Sequence, residues 1–203
     1  MSHDPAGALD LLLHQPPVPL PALSGGGGLY SLTDERGIVR YIGQTGKPFF
    51  DRIHNRHCAG DENSHKFSTV FNAGLLWQPA RGDRNAAKHA VNDPADGKDA
   101  KALRALFARS RCFARVIDLP DLGTVEREEL EAEVLRLAPA EHKLWNDSRN
   151  LTAYEPEGVS EFMREIGWPQ HRIDAVSRQR ARWKTLTDEE RVIVRPTRSR
   201  SRP

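Results

Sequence analysis

Cysteine is nearly absent: the 203 residues contain two, Cys58 and Cys112. Two thiols build no disulfide framework, so an ordinary apolar core has to hold the fold. Without an export signal, both are expected as free thiols in a reducing cytoplasm. Long apolar runs are missing as well. No stretch approaches the ~18 residues that would span a bilayer, so no membrane association is expected. Leu11-Leu12-Leu13 is broken at once by His14 and two prolines, and no basic segment precedes it, so the start does not read as a signal peptide. No CxxC pair occurs, and His54, His57, Cys58 and His65 fit no standard structural zinc spacing. A phosphate-binding P-loop is lacking too. Gly25 to Gly28 lead into a strand pattern, and Gly43-Gln44-Thr45-Gly46-Lys47 has Tyr41 in place of the first glycine and Pro48 in place of Ser or Thr. No internal repeat is present.

What the chain does have is 38% hydrophobic and 29% charged residues, the balance of one polar domain with a modest core. The net charge of +2 is unevenly spread. From His171 onward ten basic residues face four acidic ones, a surplus of six, the pattern of a phosphate-binding extension or of a solvated tail. Residues 1–27, rich in proline and running into the four glycines Gly25 to Gly28, read as a flexible segment with at most one helical turn. Strands are expected over 29–33 and 38–43, joined by a tight turn at 34–37 into an antiparallel hairpin. Pro48 suits the first turn of a helix over 48–58. Further helices are expected over 65–77, 99–109 (burying Leu103, Leu106 and Phe107) and 124–138. The last has Thr124 as its cap and Leu130, Val134 and Leu137 as its core stripe. Residues 78–97 read as a surface insertion and 112–118 as a third strand. The fold class is therefore α+β: a small three-stranded antiparallel sheet flanked by helices over 28–150. A helical, basic extension follows over 151–194, with one helix around 160–166 and another from 169, and then a disordered basic tail over 195–203.

The chemistry concentrates in the hairpin and the helix after it. Strand alternation allows Tyr30 and Tyr41 to meet across the hairpin with both hydroxyls on one side, although aromatic pairs of this kind are commonly mere packing. Arg52 opens the helix that must pack on that hairpin. Two hydroxyls and a guanidinium around one small concavity suit a phosphate.

Gly28-Leu29-Tyr30, Tyr41-Ile42-Gly43, Arg52, Glu131 and Asn146 together resemble the motif series of the GIY-YIG nuclease superfamily, with Leu29 in place of the middle isoleucine. The resemblance runs from Gly28 to about Asn146. It implies an endonuclease that hydrolyses phosphodiester bonds in DNA. Glu131 would bind one divalent cation, Mg²⁺ or Mn²⁺, and Arg52 would hold the non-bridging oxygens. Tyr30 would take the proton of the attacking water, Tyr41 would orient water or phosphate, and Asn146 would fix the local structure. A catalytically impaired DNA-binding module and a nuclease acting on RNA are the alternatives, and the oligomeric state stays open, a monomer included. The chain departs from the family at one point. A histidine is usual four residues after the arginine, and that position is Arg56, with His57 one further. On a regular helix these lie about 40° and about 140° from Arg52. Arg56 as a charge stabiliser, His57 through a local bulge, and His65 are the three candidates. Lys47, Arg56, Arg178, Arg180 and Arg182 join Arg52 as candidate nucleic-acid contacts.

Overall fold

The computed structural model describes residues 4–60, 67, 94–146, 154–185 and 187. His65, the helix expected over 65–77, most of the 78–97 insertion and the 195–203 tail lie outside them. Among the described residues no helix is long and apolar enough to cross a membrane.

The first difference from expectation comes at the start. Pro5–His14 is a helix, α1, where a flexible segment was expected. Asp4 caps it, its carboxylate accepting from the Ala6 and Gly7 amides, and Pro5 supplies the favourable first-turn backbone. Tertiary packing holds it in place. Leu12 is fully buried, its carbonyl accepts from Ser31 Oγ at 2.6 Å, and Gln15 exchanges bonds with the Val116 carbonyl and the Arg115 side chain. The prolines that follow do run extended, but two of these residues become strand β1, Val18–Pro19, which pairs with Phe113 and Ala114.

The sheet therefore has four antiparallel strands, not three, in the order β1-β4-β2-β3, with β2 Gly28–Thr33, β3 Val39–Thr45 and β4 Phe113–Asp118. A proline-bearing strand escapes sequence reading because proline forfeits a donor. It is tolerated here because β1 lies at the sheet edge. The β2–β3 turn is built by Asp34, whose carboxylate accepts from the Arg36 and Ile38 amides and from Arg40 Nε, each at 3.0 Å.

Alternation along β2 and β3, with a register shift between Leu32 and Thr33 that turns Val39 to the side opposite Tyr41, sends side chains into two cores. Tyr30, Leu32 and Tyr41 face Phe49, Ile53, Phe107 and Trp145. Leu29, Val39 and Ile42 face Leu12 of α1 and Leu130 and Val134 of α3, Thr124–Leu137. In α3 the buried stripe continues to Ala138, while Leu137 is exposed, and Gly123 rather than Thr124 is the cap residue. Thr124 instead opens the helix and accepts from Arg127. Helix α2, Pro94–Arg111, starts inside the expected insertion and buries Leu103 and Phe107 but not Leu106.

The C-terminal helices α4, Val159–Glu165, and α5, Gln170–Thr185, complete the fold, with Val176 and Trp183 of α5 buried. Helix α5 packs on α2. Asp96 on α2 is buried and accepts two bonds from Arg178 (2.9 and 2.7 Å) and one from Arg182 (3.4 Å). The hydrogen bond from Arg178 and the two positive charges hold the Asp96 carboxyl below its ordinary pKa. A carboxylate whose folded pKa is depressed contributes stability above its unfolded value, near ~3.9, and loses it as pH falls through the folded one. Asp96→Asn is thus expected to melt at lower temperature than wild type at pH 7, with the gap closing below about pH 4. Thermal melts across pH 3 to 7 check this.

Candidate active site

The site starts at two glycines. Gly28 begins β2 in a conformation with φ of 150°, and a side chain there would collide with the Ile117 carbonyl of β4. Only glycine lets the two strands close at this point. Gly43 lies opposite Tyr30 in the hairpin register. A Cβ on Gly43 would stand 2.7 Å from Tyr30 Oη and 2.8 Å from Tyr41 Cε1. Gly43 is thus the dent over which the Tyr30 phenol lies. Tyr41 is two residues back along the same strand and diagonal to Tyr30, their ring centroids 6.1 Å apart. Gly43→Ala should displace the Tyr30 hydroxyl and cost more activity than stability. A crystal structure of the variant, beside its melting curve and cleavage rate, checks both.

Tyr30 is fully buried, and its hydroxyl is the meeting point. His57 Nε2 lies 2.6 Å from it, and Arg52 Nε donates to it at 3.4 Å. A guanidinium can only donate, so the phenol oxygen accepts from Arg52, while the direction of the contact with His57 follows the imidazole tautomer: with Nδ1 protonated, the phenol donates to Nε2. Burial above all, with Tyr41 and Glu131 adding to it and Arg52 opposing, raises the Tyr30 pKa well above its ordinary value. The hydroxyl is therefore protonated at neutral pH. Burial disfavours the Arg52 charge, but Tyr30, Tyr41 and Glu131 outweigh it and keep that pKa above the usual guanidinium value.

His57 reaches Tyr30 because its helix is not an α-helix. Phe50–His57 is a π-helix, and the Cys58 amide bonds to the Ile53 carbonyl, five residues back. In that wider turn, residues five apart stand above one another. His57 therefore occupies the place, relative to Arg52, that the fourth residue would take in an α-helix. Phe49, Ile53 and His57 are all buried, so the register also serves the core. Arg56 points elsewhere: it is about half exposed, and its Nε pairs with Asp51 at 3.2 Å. His54 stacks on Phe50, centroids 4.4 Å apart, and takes no part in the cluster.

Glu131 reaches the site from α3, one residue past the buried Leu130. Half-buried, it lies close enough for its charge to act on both Tyr30 and Arg52. The neighbouring Glu133 pairs with Arg136 on the exposed face. Among the described residues no group of three or more His, Cys, Asp or Glu converges. One carboxylate in electrostatic reach of a phenol is a hard, sparse donor set. It suits a cation that keeps most of its waters and shares oxygen ligands with a phosphate, as Mg²⁺ does.

Asn146 works through the sheet. Its Nδ2 donates to the Ile42 carbonyl at 2.6 Å and its Oδ1 accepts from the Ile42 amide at 3.0 Å. The Trp145 amide bonds to the Arg40 carbonyl at 3.0 Å. The segment after α3 thus closes the free edge of β3 and fixes the backbone between Tyr41 and Gly43.

The expected nucleic-acid contacts divide. Lys47 is exposed on the loop before the π-helix. Arg178 and Arg182 are engaged with Asp96, and Arg180 lies 4.0 Å from Glu155. The structure brings together Tyr30, Tyr41, Arg52, His57 and Glu131, and places Asn146 behind them. No protein-family model matches the chain, and neither a curated protein nor a solved structure is significantly similar to it.

Proposed function

We propose that the protein is a metal-dependent endonuclease of the GIY-YIG type that hydrolyses phosphodiester bonds in DNA. The observation that carries this reading is the convergence on the Tyr30 hydroxyl of His57 and Arg52, with Glu131 in electrostatic reach of both Tyr30 and Arg52. Phosphodiester cleavage needs a deprotonated water, compensation of charge on the phosphorus oxygens, and stabilisation of the leaving oxygen. Arg52 supplies the second by donating to a non-bridging oxygen. Tyr30 supplies the first, taking the proton of the attacking water.

Its raised pKa makes a free phenolate costly, and the 2.6 Å contact to His57 removes the need for one. As Tyr30 accepts the water proton, its own passes to His57 Nε2, so the imidazole carries the charge at the end of the step. The water oxygen bonds to phosphorus, the opposite P–O bond breaks, and the departing oxygen leaves with the bonding pair. Tyr41, with its ring beside Tyr30 and His57, orients the nucleophile. Asn146 keeps Tyr41 and Gly43 in register. Glu131 would hold a Mg²⁺ or Mn²⁺ ion, whose chemistry is Lewis-acid stabilisation of the leaving oxygen and the phosphate charge.

The test is incubation of the purified protein with supercoiled plasmid and Mg²⁺, with matched RNA in parallel. Nicked or linear DNA, abolished by EDTA, is the expected result. Cleavage that persists fully in EDTA contradicts the reading, and cleavage of RNA alone overturns the choice of DNA.

A further inference from the structure

The register of the π-helix leaves one main-chain carbonyl over, and α2 supplies a donor for it. The Cys58 amide bonds to the Ile53 carbonyl, five residues back. Two residues on, the Gly60 amide bonds to the Arg56 carbonyl at 2.7 Å, four residues back. The bonding therefore returns from the five-residue to the four-residue register between Cys58 and Gly60. Across that step the three amides of Cys58, Ala59 and Gly60 face the four carbonyls of Ile53, His54, Asn55 and Arg56. The Ala59 amide serves His54 or Asn55, and the other carbonyl has no amide of its own. An unpaired carbonyl is costly. Wide turns of this kind are rare and occur mostly as short insertions in α-helices, often at functional sites, so a donor from outside the helix matters here.

Arg109 is that donor. This α2 side chain is partly buried, and its Nε donates to the His54 carbonyl at 3.1 Å. Five residues earlier on α2, Arg104 Nη2 donates to the Gly60 carbonyl at 3.0 Å, at the far end of the junction. With Arg109 on His54, the Ala59 amide is released to Asn55, and each carbonyl from Ile53 to Arg56 has a donor. The consequence falls on His57, which lies in the same turn. In a four-residue register Arg56 would stand about 40° from Arg52 and His57 about 140° away. In the five-residue register His57 Nε2 lies 2.6 Å from the Tyr30 hydroxyl.

We propose that Arg109 is a positioning residue for the site: its bond to the His54 carbonyl holds the π register, and through that register the contact of His57 with Tyr30. It acts through His57 and takes no part in breaking the phosphodiester bond. Its effect on rate rests on the nuclease reading above, whereas its effect on the His57–Tyr30 contact does not.

The experiment compares Arg109→Met with Arg109→Gln in the full chain. Both replacements remove the charge. Gln carries an N–H donor where arginine has Nε, and Met carries a methyl group there. One readout is single-turnover cleavage in Mg²⁺, with substrate affinity measured separately. The other is the nitrogen NMR signal of the His57 imidazole, assigned by its loss in His57→Ala, with Tyr30→Phe marking where it moves when the contact is broken. Arg109→Met should lower the rate about 10²-fold, as a misplacement of about 1 Å can, and leave affinity within about two-fold. It should also move the His57 signal to its Tyr30→Phe position. Arg109→Gln should keep the wild-type signal and stay within a few-fold of the wild-type rate. A folded Arg109→Met protein with wild-type rate and signal overturns the proposal. Equal losses in both variants overturn it too, because charge rather than a donor would then be at work. If Arg109→Met does not fold, Arg109→Gln decides: the wild-type signal supports the proposal and the Tyr30→Phe signal overturns it. If wild type cleaves neither DNA nor RNA, the nuclease reading falls, and the His57 signal alone decides the role of Arg109.

Discussion

Tyr30→Phe should lower the cleavage rate about 10²–10⁴-fold, the usual worth of a positioned proton-transfer group, without unfolding the protein. The substitution keeps the ring over Gly43 and removes one hydroxyl, which touches His57 at 2.6 Å and Arg52 at 3.4 Å. Losing a buried hydrogen bond costs about 1–3 kcal/mol, survivable for a domain of ordinary stability. His57→Ala should act in the same direction, since it removes the acceptor for the Tyr30 proton. Arg56→Ala should leave the rate within a few-fold of wild type, because that side chain pairs with Asp51 instead. Single-turnover cleavage by the three variants, each with its circular dichroism spectrum, measures this. A large loss in Arg56→Ala with none in His57→Ala would mean that the π-helix register is not the one that operates in catalysis.

Arg52→Ala is the second large effect. Removing one donor from a developing oxyanion typically costs about 10²–10³ in rate, or about 3–4 kcal/mol of barrier. Arg52 also opposes the rise in the Tyr30 pKa, so its loss makes proton transfer through the phenol harder as well. Arg52→Lys should recover part of the rate only. An ammonium restores the charge but not the planar fork or the Nε donor that reaches Tyr30. Rates for both variants under single-turnover conditions, with substrate affinity measured separately, distinguish a lost transition-state contact from simple weak binding.

Much of this site was legible before any coordinates, for identifiable reasons. Tyr30, Tyr41 and Gly43 lie on strands, where the two-residue period fixes which side each faces, and the hairpin register then brings them together. Glu131 was singled out among its helix's acids by the family resemblance, with its place next to the core residue Leu130 setting it at the edge of the packed face. Three things were not. The π-helix was hidden because helical propensity does not distinguish i→i+4 from i→i+5 bonding; the one visible sign was a histidine five residues after Arg52. Strand β1 and helix α1 were hidden because Pro16, Pro17, Pro19 and Pro21 read as extended chain, while the contacts that hold this segment come from residues about a hundred positions away, at Val116 and Arg115. The basic surplus of the C-terminal region read equally as phosphate-binding charge or as a solvated tail. Arg178 and Arg182 are instead spent on Asp96, a partner that no local pattern reveals.

The tyrosine, arginine and histidine of the hairpin and π-helix are proposed to act with Glu131 as one hydrolytic site. The most direct test is plasmid cleavage by wild type and Glu131→Ala, side by side in Mg²⁺, at matched protein concentration and with matched melting temperatures. Nicking by wild type and loss of nearly all of it in the variant is the expected result. Equal cleavage by the two proteins would contradict it.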